Sequence, residues 1–266
     1  MAPPRSIPRF RNKWRHPSLV TPADFMRRYN PGFRAPERCV VVWNPRLAAT
    51  LARRFGGRRV SPNAPIFTLP GPARVGIVYP RGIGAPGTVS QCEELAAAGT
   101  REFVGIGAAG GLATDLAPGA VVVCDSAVRD EGTSHHYAPP HVPAVPSPTL
   151  RRWLERALAT AKIPFRVGPS WTLDAPYRET RAELRHYRAH GVLTVEMEAS
   201  AMFLFGRGRR VRVASVFVVS DRLTDDGWDL HFDKVPDWLE TVGSAVVRSW
   251  IDSHRPRGGR GPVDAR

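Results

Sequence analysis

The sequence has 266 residues, of which 42% are hydrophobic, and carries a formal net charge of +14 at neutral pH. A chain of this length can bury a large core in one or two domains. It contains no run of about 18 or more apolar residues that could span a membrane, and its start lacks the apolar core of a signal peptide. We therefore expect a cytoplasmic protein without a membrane partner.

The positive charge comes almost entirely from arginine, since lysine occurs only three times. Much of it lies near the two ends, in RFRNKWRH and HRPRGGRGPVDAR. Basic surfaces attract phosphates and nucleic acids, but terminal basic runs are commonly solvated tails. Because no zinc finger, helix-turn-helix or aromatic RNA-binding motif accompanies the charge, a nucleic-acid partner is not expected.

Three cysteines, Cys39, Cys92 and Cys124, stand far apart without a CxxC pair. This spacing indicates reduced thiols in or near the core. We predict no metal ion and no organic cofactor.

Three segments differ in composition. Residues 1–36 are rich in proline and arginine and predict a basic arm, with a short helix over TPADFMRRY that Thr21 could cap. Residues 37–253 alternate β-branched runs with helical stretches, which predicts one α/β domain on a largely parallel or mixed sheet. Residues 254–266 predict a disordered basic tail.

The predicted elements of the domain follow one another closely. The strands are CVVVW, ARVGIVYP, REFVGIG, GAVVVCDSAVR, FRVGPSWTL, the start of LTVEMEAS, and VRVASVFVVSD. The helices are RLAATLARRF, PGTVSQCEELAAAG, SPTLRRWLERALATA, YRETRAELRHYRAHG, ASAMFLFGRG and VPDWLETVGSAVVRSWIDSH.

A glycine-rich turn is predicted where REFVGIG runs into AAGGLATDLAPGA. Such turns let backbone N–H groups approach an anion, and a helix start that follows adds a favourable dipole. The pattern does not predict a dinucleotide site, because the helix that should separate the glycines from the acidic Asp125 is missing.

Polar turns also follow other predicted strands, in YPRGIGAP and VVSDRL, and TVEMEAS adds Glu196 and Glu198. Residues two apart cannot both face one site in a regular helix. At a strand-to-helix junction, one carboxylate can point at a ligand while the other braces the turn. An unpaired buried carboxylate is costly, so this junction is a candidate site.

The segments GAAGGLATDLAPGAVVV, AVRDEGTSHHYAPP, WTLDAPYRET, VEMEASAMF and VVSD together resemble the nucleoside phosphorylase family over roughly residues 37 to 252. That family includes uridine phosphorylase, hexameric purine nucleoside phosphorylase and related nucleosidases. The resemblance implies a three-layer α/β/α sandwich with a mixed, partly barrel-like central sheet. It also implies cleavage of a nucleoside N-glycosidic bond by a homo-oligomer, either a dimer or a hexamer.

The resemblance further implies roles for the residues around the sugar. Glu198 accepts hydrogen bonds from the ribose 2′ and 3′ hydroxyls, Met197 packs against the sugar, and Glu196 shapes the pocket. Asp221 matches the general acid that purine-acting members direct at the base. His16 matches a histidine that reaches the 5′-hydroxyl in a neighbouring subunit, with an ordinary exposed histidine as the alternative.

The residues expected to contact the base and the nucleophile match the family less closely. The segment around Trp171, Asp174 and Arg178 replaces a uracil-reading sequence, so we expect these residues at the base and favour a purine. His135 and His136 belong to a loop whose role is either structural or substrate-binding.

Relatives hold phosphate with an arginine before the glycine turn and a threonine within it, where this chain has Gly105 and either Ala108 or Ala109. Each lost charge-assisted contact is worth about 1.5 to 3 kcal/mol. The remaining candidates for contacts to inorganic phosphate, the expected co-substrate, are Arg46, Arg81, Gly82, Gly107 and Ala108. A phosphate-independent nucleosidase and a catalytically degenerate nucleoside-binding protein stay open as alternatives.

Overall fold

A computed structural model describes residues 10, 12–60, 65–224 and 227–254. The predicted basic tail beyond residue 254 lies outside the described residues, as does most of the predicted arm before residue 12. None of the described helices combines the length and apolarity that a membrane crossing requires.

Ten strands and seven α-helices are assigned within the described residues. The strands are β1 Arg38–Val42, β2 Arg58–Arg59, β3 Ile66–Thr68, β4 Val75–Val78, β5 Glu102–Gly111, β6 Val121–Asp130, β7 Arg166–Leu173, β8 Thr194–Glu196, β9 Arg212–Leu223 and β10 Trp228–Leu230. The helices are α1 Pro22–Tyr29, α2 Pro45–Arg54, α3 Ala85–Ala97, α4 Pro148–Thr160, α5 Arg181–Ala189, α6 Ala199–Arg209 and α7 Val235–Ser253.

All strands belong to one mixed sheet, in the order β10-β9-β6-β7-β8-β5-β1-β4-β3-β2. Strand β5 also pairs with β9, so β5, β9, β6, β7 and β8 close into a five-stranded barrel. Strands β1 and β4 extend the sheet in parallel from β5, and β3 and β2 continue it antiparallel. The expected partly barrel-like mixed sheet is confirmed.

Helices cover both faces of the sheet, which makes three layers. Successive side chains of a strand point to opposite faces. In β1, Val40 and Val42 pack in the core that α2, α4 and α7 share, whereas Cys39 and Val41 pack in the core that α3 and α6 share. All three cysteines are buried and free, as their spacing predicted.

The helix predicted over TPADFMRRY is present, and the Thr21 side chain accepts a hydrogen bond from the Asp24 backbone at its start. Just after it, Ala35 is buried and donates to the carbonyl of Ala98. The end of the predicted arm therefore packs onto the domain. The short strands β2, β3 and β10 were not predicted, because two or three residues, largely exposed in β2 and β10, carry no clear alternation.

The glycine-rich segment differs from its prediction. It is not a turn, since β5 continues to Gly111 and pairs with β9 along its whole length. A Cβ atom at Gly107 would lie 3.0 Å from two ring carbons of Trp43, and one at Gly110 would lie 3.2 Å from the Asp221 carboxylate. These glycines are needed because neighbouring side chains cross the strand closely.

Candidate active site

Glu198 lies at the junction between β8 and α6, where the sequence predicted a candidate site. Its side chain is 6% exposed. One carboxylate oxygen accepts a 2.5 Å hydrogen bond from the backbone N–H of Gly84, in the turn that precedes α3. Gly84 has a φ of +94°, a conformation that favours glycine. Two turns distant in sequence are thereby joined at one carboxylate.

Glu196 braces the same junction. Its Oε2 accepts hydrogen bonds of 2.8 Å from the backbone N–H groups of Glu198 and Ala199. Its Oε1 accepts a 2.5 Å bond from the Thr172 hydroxyl. Glu196 thus satisfies the first N–H groups of α6 in the manner of a helix cap. Glu196 therefore braces the junction, which leaves Glu198 as the carboxylate that can face a ligand.

Both carboxylates resist ionisation. Burial raises the pKa of Glu196 to about 7, although the hydrogen bonds it accepts oppose this change. Burial, with the charge of Glu196 second, raises the pKa of Glu198 to about 8. Two like charges this close are disfavoured in a dry site, so near neutral pH the pair retains a proton.

A cavity of about 310 Å³ opens beside Glu198. The lining is mostly apolar, with Asn44 and the two glutamates as the polar members of the set. Among the described residues that line it, none is arginine or lysine. The lining residues are Trp43, Asn44, Leu47, Ile83, Ile106, Gly107, Ala108, Glu196, Met197, Glu198, Phe232, Val235, Pro236 and Leu239.

Trp43 forms the wall of this cavity next to β5. Its indole N–H donates to the Thr88 hydroxyl at 2.7 Å, and its ring packs over Gly105 and Gly107. The adjacent Asn44 accepts hydrogen bonds from the first N–H groups of α2 and so caps that helix. The arginine and the threonine that the resemblance places near here are replaced by a packed indole and small residues.

Asp221 lies in β9 and is 6% exposed. Its Oδ1 accepts a 2.5 Å hydrogen bond from the Ser220 hydroxyl, and its Oδ2 accepts a 2.6 Å bond from the Trp228 indole. Glu179 is close enough that the charge of Asp221, after burial, helps to raise the pKa of Glu179 to about 7. Asp221 is not one of the residues that line the 310 Å³ cavity.

The structure brings five of the predicted site residues to the one cavity. They are Glu196, Met197, Glu198, Gly107 and Ala108. Only Gly107 and Ala108 come from the predicted phosphate set. The chain also contributes Gly84 and Thr172, which sequence reasoning did not single out; the glycine turn around Gly84 was noted, but as an anion site rather than as a carboxylate support.

Three other phosphate candidates lie elsewhere. Arg81 lines a separate cavity of about 610 Å³, and its charge opposes the rise that burial causes in the pKa of Glu94. Gly82 is exposed, with a φ of +128°. Arg46 is exposed at the start of α2, next to the lining residue Leu47. The replacement of the missing arginine by Arg81 stays a prediction.

The expected base contacts are not gathered at the cavity either. Trp171 is 0% exposed; its indole donates to Asp130 at 2.9 Å and its ring packs on Tyr187. Such a buried, satisfied indole has no face for a base. Asp174 is exposed and accepts a 2.8 Å bond from the Gly132 backbone, and Arg178 is exposed in a short 3₁₀ turn.

The roles expected for His16, His135 and His136 stay predictions. His16 is exposed and packs edge-on against Phe10, so its contact with a neighbouring subunit stays a prediction. In the loop after β6, His136 contacts Lys13 at 2.7 Å. Arg129 holds that loop through bonds to the carbonyls of residues 138, 139 and 142, which gives the loop a structural basis. No group of three or more metal-ligating side chains occurs in the described ranges.

Comparison with known proteins gives one family and several relatives. The family model described as the phosphorylase superfamily matches residues 46–250. The chain is similar to a uridine phosphorylase of Treponema pallidum (strain Nichols), with 33% identity over 193 residues, covering 68% of this chain and 75% of that protein.

Two further relatives differ in the base that their names give. A guanosine phosphorylase of Halorubrum lacusprofundi is 32% identical over 142 residues, covering 53% of this chain and 59% of that protein. A purine nucleoside phosphorylase of Plasmodium vivax is 28% identical over 165 residues, covering 60% of this chain and 67% of that protein.

Proposed function

The chain belongs to the phosphorylase superfamily, and from that premise we propose that it cleaves the N-glycosidic bond of a nucleoside by phosphorolysis. In this reaction an oxygen of inorganic phosphate forms a bond to the anomeric carbon of the sugar. The bond from that carbon to the base nitrogen breaks, and its electron pair leaves with the base.

The observation that carries the proposal is the placement of Glu198. Glycosyl transfer passes through an oxocarbenium-like sugar, which a nearby carboxylate stabilises. Glu198 faces a nucleoside-sized cavity, is fixed by Gly84, and is freed from bracing the junction because Glu196 does so. We propose that Glu198 accepts hydrogen bonds from the ribose hydroxyls while Met197 packs against the sugar.

The base side of the reaction is assigned to Asp221. A leaving base must accept charge, and a carboxylic acid near its ring nitrogen can supply the proton. We favour a purine because Asp221 matches the acid of purine-acting members and because the segment around Arg178 lacks a uracil-reading sequence. Relatives named for uridine, guanosine and purine nucleosides are all similar to this chain, so the base is the part that experiment must decide.

Phosphate is the proposed nucleophile. The three relatives are all named as phosphorylases, which favours phosphate over water and gives the nucleosidase alternative no support. Within the chain, Gly107 and Ala108 of β5 line the cavity, and Arg46 precedes the lining residue Leu47 in sequence. We propose these three as phosphate contacts, with a neighbouring subunit of a homo-oligomer adding positive charge to a cavity whose described lining has none.

One assay tests the proposal. The protein is incubated with uridine, guanosine, inosine and adenosine, with and without phosphate, and the free base is measured. Base that appears only with phosphate supports phosphorolysis; base without phosphate identifies a nucleosidase, and binding without release identifies a degenerate nucleoside-binding protein. Glu198→Gln should abolish most of the release, whereas Glu240→Gln, which alters an exposed ion pair with Arg54, should leave it unchanged.

A further inference from the structure

The hydrogen bond between the Trp228 indole and the Asp221 carboxylate is not explained by folding alone. Strand β10 runs antiparallel to β9 at the edge of the sheet. The Trp228 indole, 52% exposed, reaches across and donates to Asp221 Oδ2 at 2.6 Å, while Ser220 donates to Oδ1. A largely exposed side chain therefore covers a buried carboxylate and engages the oxygen that Ser220 leaves open.

We infer that the indole N–H of Trp228 occupies the position at Asp221 Oδ2 that a ring N–H of the leaving base takes. The inference rests on the proposed function, in which Asp221 protonates the base. A base that has just been protonated carries a ring N–H directed at the carboxylate that supplied the proton. The indole N–H of Trp228 makes the same type of contact, a hydrogen bond donated to a carboxylate oxygen.

The contact is also one that a ligand can replace. Besides Asp221, the indole packs edge-on against Phe232, with ring centroids 6.0 Å apart, and Phe232 lines the cavity beside Glu198. The backbone of the segment is held independently, since His231 donates to the Ser220 carbonyl at 3.1 Å. The side chain can leave Asp221 without the strand leaving the sheet.

Trp228 is accordingly a positioning residue for the reaction. Its indole keeps the Asp221 carboxylate oriented and shielded from water. When the glycosidic bond breaks, the proton of Asp221 passes to the ring nitrogen of the base, and the new ring N–H of the base then donates to the carboxylate in place of the indole N–H, while the indole stays packed on Phe232. The inference therefore places the base beside Asp221 and Trp228, and not at Trp171.

Nuclear magnetic resonance of the indole N–H groups tests the inference. The chain has seven tryptophans, and Trp228→Phe identifies the resonance of Trp228 by its loss. We expect that resonance to move upfield in Asp221→Asn and to move again when hypoxanthine, adenine or uracil is added at saturation. The matched variant Trp153→Phe, which changes a tryptophan stacked on Trp250, assigns a resonance that should respond to neither.

Binding of the free base gives a second measure. Trp228→Phe removes the competing N–H but keeps an aromatic ring against Phe232. The base should then bind about tenfold more tightly, which corresponds to the free energy of one charge-assisted hydrogen bond. Trp228→His, which can donate again, should restore the weaker binding. Thermal unfolding of each variant checks that the fold is intact.

The outcomes separate the two proposals. If base binds but the Trp228 resonance does not move, or if Trp228→Phe binds base no more tightly than the wild-type protein, the inference is wrong. If no nucleoside is cleaved but base binding still displaces the indole, the proposed phosphorolysis fails and the position of the base stands. If no base binds to any form, the inference is wrong, whereas the proposed phosphorolysis is judged separately by the release of base in the presence of phosphate.

Discussion

The backbone N–H of Gly84 donates to the Glu198 carboxylate across 2.5 Å, which ties the turn before α3 to the start of α6. Glycine turns of this kind commonly cradle an external anion. Here the anion is the Glu198 carboxylate itself, so the turn supports the residue that is proposed to bind the sugar.

Glu198→Gln should lower kcat/KM for the best nucleoside by about 10- to 100-fold, because hydrogen bonds to a charged group are worth about 1.5 to 3 kcal/mol and a neutral amide replaces that group. Steady-state kinetics with the free base as the readout measure the effect. A variant that retained wild-type kcat/KM would remove Glu198 from the sugar site. Glu240→Gln provides the comparison, since that carboxylate pairs with Arg54 at the surface.

The pH dependence should show two opposite trends. Burial raises the pKa of Glu198 from 4.5 to about 8, so the folded protein holds a proton that the unfolded chain has already released. The free energy of unfolding should therefore fall as pH rises from about 5 to about 8, since the folded state binds more protons over that range. Over the same range kcat/KM should rise, because sugar binding requires the ionised carboxylate.

Chemical denaturation at a series of pH values measures the first trend, and Glu198→Gln should make the profile flatter. The raised pKa of Glu196, about 7, contributes a remaining slope in the same direction. If the unfolding free energy of the wild-type protein increased between pH 5 and 8, the assignment of buried, proton-retaining glutamates would be incorrect.

Gly84→Ala should raise KM and cost about 1 to 3 kcal/mol of stability, because its φ of +94° and ψ of 159° define an extended conformation that is essentially confined to glycine. Space is not the reason, since the nearest atoms to an added Cβ are the Met197 methyl group and Pro86 Cδ, both at 3.9 Å. Gly87→Ala, three residues later in α3, has open space around it and no positive φ. That control should be neutral or stabilising by up to about 1 kcal/mol. Equal behaviour of the two variants would contradict the argument.

The sequence predicted much of the fold because the strands of the barrel are long buried runs and the helices have clear starts and ends. Thr21 and the glycines after the helices gave the boundaries. The sequence predicts too short a strand β5, because Gly105 to Gly111 has the composition of a turn. The side chains of Trp43 and Asp221, which cross the strand and require glycine there, come from distant segments. Close approach between remote residues leaves no local pattern.

For the site, the sequence distinguished the two glutamates but not the supports around them. Glu196 and Glu198 stood out because charged residues are rare beside an apolar helix. Trp171 was expected at the base from its position in a motif, yet its indole is satisfied by Asp130 inside a small core. Trp228 gave no signal, because its partner Asp221 is reached through the pairing of β10 with β9.

The missing phosphate-binding hydroxyl offers the sharpest test of the cavity, because two adjacent alanines give opposite expectations. Ala108 is exposed and lines the cavity, whereas Ala109 is 3% exposed and packs in the core beneath α6. Ala108→Thr places a hydroxyl where phosphate is proposed to bind, and one hydrogen bond to a charged ligand should lower KM for phosphate about tenfold.

Ala109→Thr instead buries a hydroxyl among apolar side chains, and should cost about 1 to 3 kcal/mol of stability without improving phosphate binding. Phosphate titrations of base release, together with thermal unfolding, distinguish the two variants. If Ala108→Thr left KM for phosphate unchanged while the fold remained intact, phosphate would not bind against Ala108 of β5. The indole of Trp43, which packs over Gly105 and Gly107, would then mark a wall of the sugar pocket alone.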